Sequence, residues 1–184
     1  MDNVKIAKFN IIVATCKNMG IGYDNTLPWN IKSDLRKFRI LTIGNNNNAI
    51  VMGKNTWNSL PIKPLPFRDN LILSNTLANV NNKNCLVFNN IDSLINYCIN
   101  KNYDNIWIIG GAKIYNAFID NYTRYIYEIY ITHIEKEYKC DSFFPDITDN
   151  NKFICLSKTS HNKDINKENC NIYDIIYRNK DYHE

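Results

Sequence analysis

The sequence predicts an α/β fold: helices flanking a central, mostly parallel β-sheet that finishes in an antiparallel end. Three observations predict it. Short β-rich runs alternate with helical stretches from residue 9 to about residue 119. Three strand candidates then follow with no helical pattern between them. The 184 residues show no fixed-period repeat and no Pro/Ser/Gly-rich linker, which fits a single domain.

Taken in order, Phe9 to Ala14 reads as a buried strand, followed by a long glycine-containing loop from Thr15 to Trp29. Lys32 to about Ile43 reads as a helix with Leu35, Phe38 and Leu41 or Thr42 on one face, and Ser33 or Asn30 is its candidate cap. Ala49 to Met52 is a short strand leading through Gly53 into a helix over Asn55 to Leu60. Prolines 61, 64 and 66 then forbid helix and make a stiff surface loop. Asn70 to Ser74 and Cys85 to Phe88 are strands. Ile91 to Asn100 is a helix that turns Leu94, Ile95 and Cys98 inward. Asn105 to Ile109 is an apolar strand ending at Gly110-Gly111, and Ala112 to Ile119 continues as a helix. Tyr125 to Ile134, Phe153 to Ser160 and Asn171 to Tyr177 complete the set. In sheets of this kind ligands lie at the carboxyl ends of the strands, near a switch in strand order.

Composition excludes several classes. With 45% hydrophobic and 22% charged residues, a chain of this length can bury about 70% of its unfolded surface and needs no metal or disulfide staple. The net charge of +4 favours an anionic ligand but is too small to argue for nucleic acid, and no aromatic-and-basic stripe suited to single strands is present. Cysteines 16, 85, 98, 140, 155 and 170 form no C-x-x-C pair and read as free thiols in a reducing compartment. His133, His161 and His183 share no ligand spacing with them, so no metal is expected. The apolar run from Phe9 to Cys16 is far too short for a membrane span and lacks a cleavage pattern, which leaves the cytoplasm as the expected location. The asparagine run 45–48 is read as loop filler.

Four features offer chemistry. Asp34 follows Leu27-Pro28-Trp29 in the first turn of a helix; it is either a helix-start charge or a partly buried acid that meets a guanidine-like edge with two oxygens. Ile109-Gly110-Gly111-Ala112 runs from strand to helix through paired glycines, either a plain tight junction or a phosphate approach. Its spacing is not that of the G-x-G-x-x-G fingerprint. Arg68 sits on the proline-stiffened loop, either solvated or poised for bidentate capture of a carboxylate. Thr132 lies on the opposite strand face from His133. Gly53-Lys54-Asn55-Thr56 fails as a triphosphatase loop, because Asn48 stands at the upstream glycine position and Asn55 follows the lysine.

Each feature alone is weak, but their order and separations are not. Ile12-Val13-Ala14, Gly20-Ile21-Gly22, Leu27-Pro28-Trp29, Asp34-Leu35, Met52-Gly53-Lys54-Asn55-Thr56-Trp57, Pro64-Leu65-Pro66, Arg68-Asp69-Asn70, Ile109-Gly110-Gly111 and Thr132 before Asp141-Ser142-Phe143-Phe144-Pro145 together resemble the dihydrofolate reductase family. The resemblance runs from about residue 9 to residue 177. It implies a single-domain dihydrofolate-reductase-like fold over 1–184: an eight-stranded sheet, antiparallel at its C-terminal strand, with about four helices. It implies reduction of 7,8-dihydrofolate by NADPH, in support of one-carbon metabolism, and a site that antifolates occupy.

By the same resemblance Asp34 binds the pterin 2-amino group and N3, Thr132 orients Asp34, and Trp29 walls the pocket and helps hold a proton-delivering water. Phe38 packs on the ligand with Leu35, Leu60 and Leu65, Arg68 clamps the glutamate α-carboxylate, and Ile12, Val13, Ala14 and Ile109 lie where pterin and nicotinamide meet. Ile21 and Gly22, in the loop from Met19 to Asp24, close over the nicotinamide. Gly110, Gly111, Ala112, Lys113, Ile114 and Tyr115 border the cofactor, while Gly53, Lys54, Asn55, Thr56, Leu73, Ser74 and Asn75 hold or flank its phosphates. Lys54, Lys113 and Asn75 are the candidates for the 2′-phosphate. The resemblance fits a monomer, unless the domain is the front part of a chain that also carries thymidylate synthase. A related reductase of riboflavin synthesis shares fold and cofactor but does not require Trp29, Asp34 and Arg68 in this register. Departures are the Gly-Gly-Ala turn, Phe67 before Arg68, and lysine in place of arginine at the cofactor-phosphate positions.

Overall fold

The structure is a computed structural model, and it describes residues 7–78, 80, 83–161 and 169–182; His183 lies outside them. The strands are β1 (Phe9–Cys16), β2 (Gly20–Gly22), β3 (Asn48–Gly53), β4 (Asp69–Leu73), β5 (Cys85–Phe88), β6 (Asn105–Gly110), β7 (Ile126–Ile134), β8 (Ser142–Phe143), β9 (Phe153–Ser160) and β10 (Ile172–Asn179). The helices are α1 (Lys32–Ile43), α2 (Lys54–Ser59), α3 (Ile91–Lys101) and α4 (Ala112–Asn121).

Eight strands form one sheet in the order β5-β4-β3-β6-β1-β7-β10-β9. The chain moves outward from β3 to β5, then returns past β3 to β6, so the strand order switches beside β3 and β6. Pairings from β5 through β7 are parallel, and β10 runs antiparallel to both β7 and β9. The expected single antiparallel C-terminal strand is therefore present. Strands β1, β3 and β6 read as nearly unbroken apolar runs because helices cover both sheet faces. The terminal strand β9 is exposed along all but Phe153, as its Ser/Lys/Thr content suits.

Three apolar clusters follow from the period-2 alternation of these strands. One gathers Ile11, Val13, Val51 and Ile108 under α3 and α4, with Leu94, Ile95, Cys98, Tyr115 and Phe118. On the opposite face Ile12, Ile50, Met52, Ile72 and Trp107 pack with Trp57 of α2 and Phe38 and Leu41 of α1. A third joins Cys16, Trp29, Ile31, Ile134 and Ile172. Among the described residues no helix is long and apolar enough to cross a membrane. All six cysteines are free.

Several local expectations change. The long loop after β1 is partly ordered: β1 runs on to Cys16, and Gly20–Gly22 pairs with Ser142–Phe143. Gly20 permits this, because a Cβ there would lie 2.4 Å from Cys140 Sγ and 2.9 Å from Cys16 Sγ. Neither Ser33 nor Asn30 caps α1; the N-cap is Ile31, with no side-chain bond to the helix. Asn90 does cap α3, its side chain accepting from Ser93 N at 2.8 Å.

Candidate active site

Asp34 sits in the first turn of α1 with its side chain 15% exposed. Thr132, buried on β7, donates its hydroxyl to Asp34 Oδ1 at 2.5 Å. The acid is thus more than a helix-start charge. One turn on, Lys37 Nζ lies 3.7 Å from the same oxygen. Lys37 donates to Thr132 Oγ1 and to Asp174 Oδ1, and Asp174 lies opposite Thr132 in the β10–β7 register. His161 Nε2 is 2.7 Å from the other oxygen of Asp174. Burial pushes the Asp174 carboxyl up, but hydrogen bonds and charge from Lys37 and His161 outweigh it and hold the group below its ordinary range. Sequence reasoning missed Lys37, Asp174 and His161. Its i, i+3 spacing from Asp34 was the available signal for Lys37; Asp174 and His161 gave none.

A groove continues from the acid along α1. Phe38, Leu60, Leu65 and Ile109 all pack against the cluster that contains Ile12, so five of the expected substrate residues meet on one face. Val13 turns to the opposite face, under α4, and offers the groove only its backbone. Ala14 packs with Trp29 in the third cluster. Trp29 is buried, lies edge-on to Tyr138, and its Nε1–H donates to no described residue. Leu35 departs from the expected apolar stripe and is 50% exposed. With Asp34 turned to Thr132, the helical period carries Leu35 roughly 100° around the axis.

Arg68 is buried rather than solvated. Nη1 donates to Thr42 Oγ1, and Nε donates to the Pro66 carbonyl at 3.1 Å. The guanidinium lies 5.9 Å from the Phe38 ring centroid. Burial, and secondarily the charge of Arg39, pull its pKa down to about 10. No acidic residue pairs with it among the described residues. Phe67, the departure before it, adopts φ 65° and projects outward. Asp34, Phe38 and Thr42 are spaced i, i+4, i+8, so acid, ring and Arg68 contact share one face over roughly 12 Å of helix.

On the other side of the sheet's carboxyl edge, two strand-to-helix turns touch. A Cβ on Gly53 would lie 3.2 Å from Ile114 Cγ1, and one on Gly111 would lie 3.4 Å from Thr56 Oγ1. Gly110 has φ 111° and joins Gly111 by a cis peptide bond; a Cβ at Gly110 would press on the Tyr115 ring at 3.0 Å. Gly111 opens α4 with no side-chain cap, so no capping side chain takes up the first-turn N–H groups. Tyr115 is fully buried and its hydroxyl donates to the Ile12 carbonyl at 2.9 Å. Burial, then the nearby Asp34 charge, raise its pKa and keep the phenol protonated.

Lys54 Nζ donates to Thr76 Oγ1 at 2.7 Å, which brings α2 against the turn built on Ser74, whose hydroxyl accepts from Leu77 N at 2.9 Å. Thr76 was not among the expected residues. Leu73 and Ile21 pack on the α3/α4 cluster, Gly22 pairs with Ser142, and Asn55, Asn75 and Lys113 are exposed at the rim. Among the described residues no group of His, Cys, Asp or Glu could hold a metal.

The sheet's carboxyl edge thus carries a partly buried acid, an apolar groove and a buried cation on one side and a glycine cradle on the other. The family model for dihydrofolate reductase matches residues 8–179. The chain is 38% identical over 150 residues to the dihydrofolate reductase of Drosophila melanogaster, covering 77% of this chain and 81% of that protein. It is 36% identical over 169 residues to that of Buchnera aphidicola subsp. Acyrthosiphon pisum, covering 91% and 95%. The Heliothis virescens enzyme is 35% identical over 150 residues, covering 76% and 80%. With the match spanning nearly every strand and helix of the sheet, the chain belongs to the dihydrofolate reductase family.

Proposed function

We infer that the protein reduces 7,8-dihydrofolate to 5,6,7,8-tetrahydrofolate in the cytoplasm. One observation carries this reading above the others: a partly buried carboxylate and a buried cation without an acidic partner among the described residues meet the same face of α1, at Asp34 and at Thr42, positions roughly 12 Å apart along the helix axis, with an aromatic ring between them. A ligand with a guanidine-like heterocycle at one end and a carboxylate at the other satisfies both. Asp34 accepts from the pterin 2-amino group and N3, Phe38 packs on the ring system, and Arg68 receives the α-carboxylate of the glutamate tail. The spacing of Trp29, Asp34 and Arg68 favours this substrate over the pyrimidine of the related riboflavin-pathway reductase.

NADPH, when bound, supplies the hydride to the pterin ring. The residues present fit it. Gly110 and Gly111 keep clear the space a Cβ would fill, and the uncapped start of α4 offers N–H groups to a pyrophosphate. Lys54, Ser74 and Asn75 with Lys113 offer charge and donors to the remaining phosphates, the 2′-phosphate included. Ile109 and Tyr115 shape the nicotinamide side, and Ile21 with Gly22 exclude water there. Asp34 stands off the reacting ring nitrogen and sets the polarity of the ring. The unpartnered Nε1–H of Trp29 helps hold the water through which the proton arrives. One copy of residues 1–184 holds all these groups, so a monomer suffices.

The test is the loss of NADPH absorbance when dihydrofolate is added to purified protein. Turnover with NADPH, and little with NADH, is expected. Binding of NADPH with no turnover at any pH would make the protein a ligand-binding relative instead.

A further inference from the structure

With Asp34 taken as the pterin-binding acid, as inferred above, the direction of one proton behind it matters. Thr132 has a single hydroxyl proton and two carboxylates to choose from. Asp34 Oδ1 lies at 2.5 Å and Asp174 Oδ1 at 3.4 Å. Lys37, an ammonium with donors only, bonds both Thr132 Oγ1 and Asp174 Oδ1. It therefore fills a lone pair of the threonine and satisfies the competing carboxylate at once. The Thr132 proton is left to Asp34. His161 occupies the second oxygen of Asp174 and completes its set of partners. The charged and titratable groups around the hydroxyl are Asp34 and Lys37 from α1, Asp174 from β10 and His161 beyond β9.

We propose that Lys37 is a positioning residue for the reductase reaction: by bridging Thr132 and Asp174 it directs the threonine hydroxyl to Asp34 and holds that carboxylate in its pterin-binding orientation. The lysine touches neither reacting ring. Besides its 3.7 Å approach to Asp34 Oδ1, it acts through Thr132. Removing its donors frees Thr132 to turn to an Asp174 that has lost its ammonium partner, and Asp34 loses the Thr132 hydroxyl donor. A neutral amide at 174 removes the competitor and offers its own N–H to the threonine lone pair.

The experiment measures kcat, KM and, on cofactor-free protein, folate affinity by tryptophan fluorescence, in K37M and K37M/D174N beside the parent and D34N. K37M is expected to lose about tenfold in kcat, with folate binding weakened several-fold. K37M/D174N is expected to recover to within about threefold of the parent on both readouts. A purely structural role for Lys37 would lower the melting temperature without this rescue. Parent-like kcat in K37M, or a loss that the second substitution leaves in place, overturns the proposal. Should K37M fail to fold, K37Q replaces it, with a loss of about threefold expected; parent-like turnover in K37Q counts against the role. If D34N itself keeps parental turnover, the reading of Asp34 fails first, and the two failures are told apart.

Discussion

At the scale of single residues, the ends of the groove make separable predictions. Asp34→Asn keeps the shape and one acceptor oxygen but cannot pair as an ion with a polarised pterin. We expect kcat near neutral pH to fall by about a hundredfold or more, with NADPH affinity, read by fluorescence titration, nearly unchanged. Equal turnover in mutant and parent would remove Asp34 from the site. Arg68→Leu deletes the buried cation, which has no acidic partner among the described residues. Antifolates that carry a glutamate tail should lose about 10- to 100-fold in affinity, from charge-assisted bonds worth about 1.5–3 kcal/mol; small diaminopyrimidines without the tail should lose little. Equal losses in the two classes would count against the clamp. Residue type and spacing made Asp34, Arg68 and Thr132 visible in the sequence. Lys37 was not visible as more than a surface i, i+3 neighbour, because its decisive partner Asp174 is 137 positions away.

At the scale of elements, the turns carry the risk. Gly110→Ala places a Cβ at a φ of 111° and within 3.0 Å of the buried Tyr115 ring. A loss of about 1–3 kcal/mol in stability is expected from the backbone conformation, together with weaker NADPH binding; urea unfolding at a parental midpoint would show that the β6–α4 turn tolerates the group. Asn90→Ala removes the side-chain acceptor that caps α3. That should cost about 1 kcal/mol and leave catalysis alone, since α3 packs under the sheet away from the groove; a change in kcat larger than any change in melting temperature would contradict this. The pairing of Gly20–Gly22 with Ser142–Phe143 was illegible because two- and three-residue strands have no period to read. The missing cap on α1 is a similar case: Ser33 and Asn30 have the right chemistry, but the helix begins between them at Lys32.

At the scale of the whole molecule, the C-terminal strand β10 is held to β7 by side-chain bonds as well as by the ladder. Arg178 Nε donates to Glu128 Oε1 at 2.9 Å, and Lys37 with His161 ties Asp174 to α1 and to the end of β9. The bonds and charge from Lys37 and His161 hold the Asp174 pKa below its ordinary value against the upward push of burial. A carboxylate depressed in the folded state adds stability above its unfolded pKa, about 3.9, and that stability is lost as pH falls through this value toward the lower folded one. The parent's melting temperature should therefore drop across this acid window, and Asp174→Asn should drop less steeply over the same range. Parallel slopes would show that Asp174 contributes nothing to the acid transition.

What the sequence determined by itself is what short windows encode. The alternation of β-rich and helical runs is set by side-chain periodicity within each segment, and the resemblance by residue types at fixed separations along one chain. Tertiary structure alone decided which strand lies beside which, that Arg68 is buried, that Ile12 faces the groove while Val13 faces away, and where the Thr132 proton goes. Those outcomes depend on groups brought together from distant parts of the chain. Burial and hydrogen-bond partnership are properties of a packed pair, and neither member of the pair encodes them alone.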